Sequence, residues 1–98
     1  MVKFGAYHGV RVVELAEGIA GPYASRFVAD QGADVIKSES ATGDYYRTEP
    51  GFQVLNRNKR SVVLLDDTQL LQSADVIVVD NSSEAERARS IAPGAVII

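Results

Sequence analysis

The 98-residue sequence has no cysteine and a single histidine. Without thiolates there is neither a disulfide nor a Cys-based metal site, and one imidazole is too few for a His-based one, so no metal is expected. No apolar run approaches the roughly 18 residues a membrane helix needs. The N-terminal MVKFGAYHG lacks the long apolar core of an export signal. No membrane partner is therefore expected, and a cytoplasmic location fits. Positive charge is also short. Ten Lys and Arg against thirteen Asp and Glu leave a net charge of −3, which argues against a nucleic-acid partner held by bulk electrostatics.

What is present is ordinary for a globular chain, with 46% apolar and 23% charged residues. The length suits one small domain over residues 1–98 and is too short for a two-domain enzyme. The chain stops inside an apolar segment, Ala95-Val96-Ile97-Ile98, with no polar tail, which reads as a fragment of a larger protein.

The organising stretch runs from Val10 to Glu39. Val10–Leu15 is short and β-branched, the pattern of a strand. Gly18-Ile19-Ala20-Gly21-Pro22 then turns the chain. Pro22 suits the first turn of a helix, where a missing N–H leaves nothing unpaired. The recurrence of Tyr23, Phe27, Val28 and Ala24 predicts the stripe that lies on a sheet, with Ser25, Arg26, Asp30 and Gln31 facing water. Gly32 ends the helix, and Ala33–Glu39 forms a second strand. Together these make a βαβ unit.

Upstream, Met1–Gly9 reads as a lead-in in which His8 is expected to be solvated and not a base, since the sequence beside it holds no acid or nucleophile. Downstream, SESATGDYYRTEPGFQ reads as a long loop, unusual unless functional. A third strand is expected at Ser61–Leu65, a turn or two of helix at Gln69–Ser73 after cap candidates Asp66, Asp67 and Thr68, and a fourth, buried strand at Asp75–Asp80. Ser82 or Ser83 should cap a helix over Glu84–Ala92, which Pro93-Gly94 ends before a fifth strand at Ala95–Ile98. Alternation of this kind predicts an α/β, doubly wound, parallel sheet of order 3-2-1-4-5.

Three groups of residues have chemical potential. In a parallel sheet ligands bind beyond the carboxyl ends of the strands, where a helix N-terminus offers free amides to an anion. Gly18 to Pro22 sits at that place, yet the same glycines serve equally well to turn the chain and let the helix approach the first strand. The spacing is not G-x-G-x-x-G, so neither NAD nor FAD is expected. Asn56-Arg57-Asn58-Lys59-Arg60 supplies donors suited to phosphate, although a solvated charged loop is the commoner fate of such a run. In Gly43-Asp44-Tyr45-Tyr46-Arg47, Asp44 is a candidate base and the tyrosines candidate stacking partners, against an equally good reading as a surface loop capped by its own Asp.

Taken together, VRVVELAEGIAGPYASRFVADQGADVIKSE, the Gly43-Asp44 pair with Arg47, LNRNKRSVVL and ADVIVVDN resemble the N-terminal part of the family III CoA-transferases. That family includes formyl-CoA and carnitine CoA-transferases and 2-methylacyl-CoA racemases. The resemblance implies a Rossmann-like, open, mainly parallel five-stranded sheet with helices on both faces, in a protein whose chains interlock in pairs. It implies CoA as ligand, moved between carboxylic acids through an aspartyl-CoA thioester. Gly18, Ile19, Ala20, Gly21 and Pro22 would lie along the pantetheine and diphosphate, and Ser40, Lys59, Arg60, Leu64 and Asn81 near the CoA nucleotide. The family's catalytic aspartate falls beyond Ile98.

Two segments depart from the family pattern. DDTQLLQSA replaces a longer Lys-Thr-Pro-Glu-Gly-type segment with its helix, and Asn81 is followed by Ser82-Ser83-Glu84 instead of Phe and a Pro-Gly. The expected function is therefore the CoA-binding part of a CoA-transferase or acyl-CoA racemase, inactive alone and partnered by the rest of its parent chain or a second subunit. The alternative is a non-catalytic binding or assembly module that kept the fold.

Overall fold

β-branched runs separated by amphipathic segments build a sheet whose two faces are covered in turn. The computed structural model describes residues 5–98, so the first part of the Met1–Gly9 lead-in lies outside it. The strands are β1 (Arg11–Glu14), β2 (Asp34–Glu39), β3 (Arg60–Val63), β4 (Val76–Val78) and β5 (Val96–Ile97). All pair in parallel, in the order β3-β2-β1-β4-β5, as the alternation of elements predicts. The helices are α1 (Ala20–Asp30), α2 (Phe52–Leu55), α3 (Thr68–Gln72) and α4 (Ser82–Ile91).

Alternation along β1 sends Val12 to one face and Val13 to the other. Val12, Val35 and Val78 pack with Ala16, Ala29 and Ala33 under α1. Val13 and Ile77 pack with Leu71 of α3 and Ala88 and Ala92 around α4. The sheet is thus α/β with helices on both faces. Because α1 follows β1 on one face and α4 follows adjacent β4 on the other, the β1/β4 junction is the topological switch point of the sheet.

Of the stripe expected on α1, only Val28 packs against the core. Pro22, Ser25 and Ala29 face the sheet, while Tyr23 and Phe27 remain 44% and 49% exposed. The helix lies too close for aromatic rings: a Cβ at Gly21 would overlap the Ala16 Cβ, so only small side chains fit beneath it. Ser25, expected in water, is buried and donates from Oγ to the Pro22 carbonyl at 3.3 Å. Tyr23 and Phe27 instead meet edge to face on the outside, 5.2 Å between centroids, with Arg26 stacked over both.

Gly32 does end α1. It sits at φ +100°, its amide donates to the Ala29 carbonyl and the Ala33 amide to Val28 at 3.0 Å, the Schellman closure. The cap of α4 is Asn81, whose side chain accepts from the Glu84 amide at 2.8 Å, so Ser82 and Ser83 fall inside the helix they were expected to cap. The segment read as a long loop carries a 3-10 turn at Tyr45–Thr48 and the single turn α2. β3 begins one residue earlier than expected and ends at Val63, leaving Leu64 and Leu65 exposed beyond it.

Candidate functional site

At the carboxyl end of the sheet the strands carry charge into the interior. Glu14 of β1 and Lys37 of β2 are register partners, 0% and 2% exposed, on the α1 face. Lys37 Nζ lies 2.6 Å from Asp44 Oδ2 and 3.7 Å from Glu14 Oε1, and donates to the Ala16 carbonyl at 3.2 Å. Lys59, ahead of β3, sends its Nζ to the same cluster. Its three N–H bonds meet Glu14 Oε1 at 2.9 Å, the Pro22 carbonyl at 3.0 Å and Asn56 Oδ1 at 2.8 Å. Two ammoniums thus face two carboxylates, and the interior charge balances. Within this cluster Glu14 Oε2 is buried without a hydrogen-bond partner.

Asp44 closes the cluster from the long connection. Its Oδ1 accepts from the Tyr46 amide at 2.8 Å, capping the 3-10 turn, and from the Gly18 amide at 3.0 Å. Burial pushes its carboxyl up, but the Lys37 ammonium and the Tyr46 and Gly18 amides outweigh this and hold it below the usual range. Beside it, Arg47 grips Glu39 with two bonds of 2.8 and 2.6 Å, and Ser61 Oγ donates to the same carboxylate. Arg47 brings the Glu39 carboxyl down to about 2. Burial works the other way on Lys59, pushing its ammonium below the ordinary lysine range against the pull of Glu14. The reading of Asp44 as a capping residue holds, except that it is buried and not on the surface.

Above this cluster the turn Gly18–Pro22 has its two faces sharply divided. Gly18 is buried at φ +82°, with the Tyr45 ring against the place a side chain would occupy. Ile19 and Ala20 are exposed where α1 begins, with its first amides beyond the reach of any carbonyl in the helix. Next to the turn, at the switch point, lies a cleft of about 350 Å³. Ser40, Leu64 and Asn81 line it together with Glu17, Asp80 and the Asp67–Arg87–Glu84 group. Burial raises the Glu17 carboxyl, and Asp44 and Asp80 add to the effect.

The residues singled out in the sequence therefore divide. Gly18 to Pro22, Ser40, Leu64 and Asn81 converge on one end of the sheet. Lys59 reaches that end from beneath, its ammonium saturated by protein acceptors. Arg60 stands at the opposite, amino end, paired with Asp34 at 2.7 and 2.8 Å, because it opens β3 and not its tip. Arg57 and Asn58 are spent on Asp30. Glu14, Lys37 and Glu39 went unnoticed as site residues. The signal for them was charge within otherwise apolar runs, VVEL and DVIKSE, of opposite sign at positions that central parallel strands bury on both faces. Among the described residues, no group of three or more His, Asp or Glu side chains is arranged to hold a metal ion, and no helix is long and apolar enough to cross a membrane.

Comparison with known proteins adds to this geometry. The model of CoA-transferase family III matches residues 7–91. Succinyl-CoA:mesaconate CoA-transferase of Haloarcula marismortui is 37% identical over an alignment covering 76% of this chain and 24% of the relative. Cinnamoyl-CoA:phenyllactate CoA-transferase of Clostridium sporogenes is 44% identical over 59% of this chain and 17% of its own length. The crystal structure of a CaiB/BaiF family protein from Brucella suis superposes with a TM-score of 0.84 at 30% identity, covering 97% of this chain and 33% of the other. The chain thus spans a quarter or less of these two curated relatives and a third of the solved structure.

Proposed function

The chain belongs to CoA-transferase family III, and on that premise we propose that it is the CoA-binding N-terminal part of a larger CoA-transferase or acyl-CoA racemase. The observation that carries this reading is the juxtaposition at the switch point: the exposed Ile19-Ala20 peptide and the first amides of α1 stand beside the cleft lined by Ser40, Leu64 and Asn81. The division of charge supports this distribution of the parts of CoA. A helix N-terminus favours the diphosphate. The carboxylates of the cleft suit hydrogen-bond donors, the ribose 2′-hydroxyl, the adenine amine and the pantetheine amide N–H groups, with the 3′-phosphate of CoA directed away from them.

In this reading Gly18 to Pro22 meets the pantetheine and diphosphate through backbone groups. Leu64 supplies apolar contact and Ser40 polar contact at the cleft wall. Asn81 contributes only what its capping bond to Glu84 and its donation to Asp80 leave over. Lys59 acts from beneath the turn, and Arg60 takes no direct part. The acyl-carrying aspartate belongs to the remainder of the parent protein, so the 98-residue chain binds CoA without transferring it.

Titrating CoA into the ¹⁵N-labelled chain tests this. Chemical shifts should move at Gly18–Ala24 and at Ser40, Leu64 and Asn81, and no CoA transfer should be detected. Silence at millimolar CoA would favour a non-catalytic module that kept the fold, a reading to which the five-residue α3 lends weight. Turnover by this chain would overthrow the division of labour.

A further inference from the structure

We infer that Lys37, Asp44 and Lys59 are positioning residues for the Ala16–Pro22 segment, fixing from within the peptide groups that the turn presents outward; the ligand half of this inference rests on the CoA reading above. Three buried charged groups deliver hydrogen bonds to the backbone of that one segment. Lys37 donates to the Ala16 carbonyl at 3.2 Å, Asp44 accepts from the Gly18 amide at 3.0 Å, and Lys59 donates to the Pro22 carbonyl at 3.0 Å. From the other side of the switch point, Asp80 accepts from the Glu17 amide at 3.0 Å. The anchors come from β2, the long connection, the approach to β3 and the end of β4. Residues distant in sequence thus converge on one short piece of backbone.

The segment has little else to hold it. Gly18 has no side chain, Ile19 and Ala20 are exposed, and Ile19 gives α1 no side-chain cap. Stability alone does not call for such a cluster, since buried ion pairs are commonly replaced by apolar side chains without loss. What apolar side chains cannot do is direct a carbonyl and an amide. The cage also gives a common purpose to motifs that look unrelated in the sequence: Glu14 of VVEL, Lys37 of DVIKSE, Asp44 after Gly43, and Asn56 and Lys59 of LNRNKRS all meet within it. Lys59 is basic for the sake of Glu14 and Pro22, not for the sake of a phosphate.

The test compares three variants of the whole chain with the wild type. Asp44→Asn keeps an oxygen for the Gly18 amide but turns an NH2 toward Lys37. The double variant Glu14→Gln/Lys59→Met removes one charge of each sign, which keeps the interior neutral, and frees the Pro22 carbonyl. Ile77→Val loosens the opposite core and serves as the control for general destabilisation. Amide hydrogen exchange and CoA titration are read on each.

Replacing the charged acceptor by a neutral one, with an NH2 set against the Lys37 ammonium, should weaken the bond and speed Gly18 exchange about tenfold in Asp44→Asn while the amides of Val13 and Ile36 keep their protection. CoA affinity should fall about tenfold in both cage variants, as expected for a misplaced binding loop, and stay at the wild-type value in Ile77→Val. Wild-type Gly18 exchange in Asp44→Asn would overturn the inference, as would Gly18 tracking the sheet amides in every variant or unaltered CoA affinity in both cage variants. Absence of CoA binding by the wild type would sink the CoA reading alone, and Gly18 exchange would still decide whether the cage holds the turn.

Discussion

Both faces of the sheet bury an apolar cluster, but the α1 face buries charge beside it. Under α4, Val13, Leu71, Ile77 and Ala88 are all at 0% exposure and wholly apolar. Under the start of α1, Glu14, Lys37 and Asp44 are at most 2% exposed and all charged. The apolar face is forgiving, because dispersion and burial are non-directional and a smaller side chain loses only its own contacts and leaves a cavity. The charged face is exacting. Each head depends on partners supplied by separate segments, and removal of one leaves another buried and unpaired. The difference teaches where this fold needs geometry and where it needs only cohesion: the directional bonds lie under the turn at the switch point.

The comparison breaks most sharply at Lys37. Replacing Lys37 with Met leaves Glu14 with the Lys59 ammonium alone and Asp44 without an ion-pair partner, so urea denaturation should show a loss of about 3–5 kcal/mol. Leu71→Ala on the apolar face should lose somewhat less, about 3 kcal/mol, and should leave the Gly18 environment intact by NMR. If the two losses came with the same loosening of the turn, the contrast between the faces would disappear.

Acid should act on the charged face. Glu39 has its carboxyl lowered from 4.5 to about 2, so the stability it contributes is fully present above pH 4.5 and drains away as pH falls toward 2. The loss should be on the order of 2–3 kcal/mol across that window, to which lowered Asp44 adds on the same face and lowered Asp34 and Asp67 add elsewhere. Glu39→Gln should flatten this part of the stability–pH curve, and an unchanged slope would remove Glu39 from the account. The smallest effect belongs to the opposite face: Asn81→Ala takes away the cap of α4 and should lower stability by about 1 kcal/mol in thermal unfolding.

Apart from the short turns at Tyr45–Thr48 and Phe52–Leu55, element types, their sequence and the strand order were legible because period-2 and period-3.6 patterns, Gly32 and Pro93-Gly94 act locally. The family was legible because four motifs occur in order. Less could be read of α1, where Tyr23 and Phe27 form as good a stripe with Val28 as Pro22, Ser25 and Ala29 do, yet only Val28 of the three packs on the core. Which stripe faces the sheet is decided by the spacing between helix and strand, which Gly21 and Ala16 set in three dimensions. The same limit applies to Lys59 and Arg60. They are neighbours in the sequence, yet one lies inside beside Glu14 and the other outside at Asp34.

The turn at Gly18–Pro22 combines both kinds of information. Its position after a β-branched strand and before a helix, and its membership in the family's first motif, follow from the linear pattern, since backbone preference and hydrophobic period are properties of nearby residues. That its amide and carbonyls are held by Lys37, Asp44 and Lys59 follows only once β2, the long connection and the approach to β3 are folded around it. A charge in a strand states that a partner must exist; which group fills that place depends on register and approach distance, which residues far apart in the chain settle together.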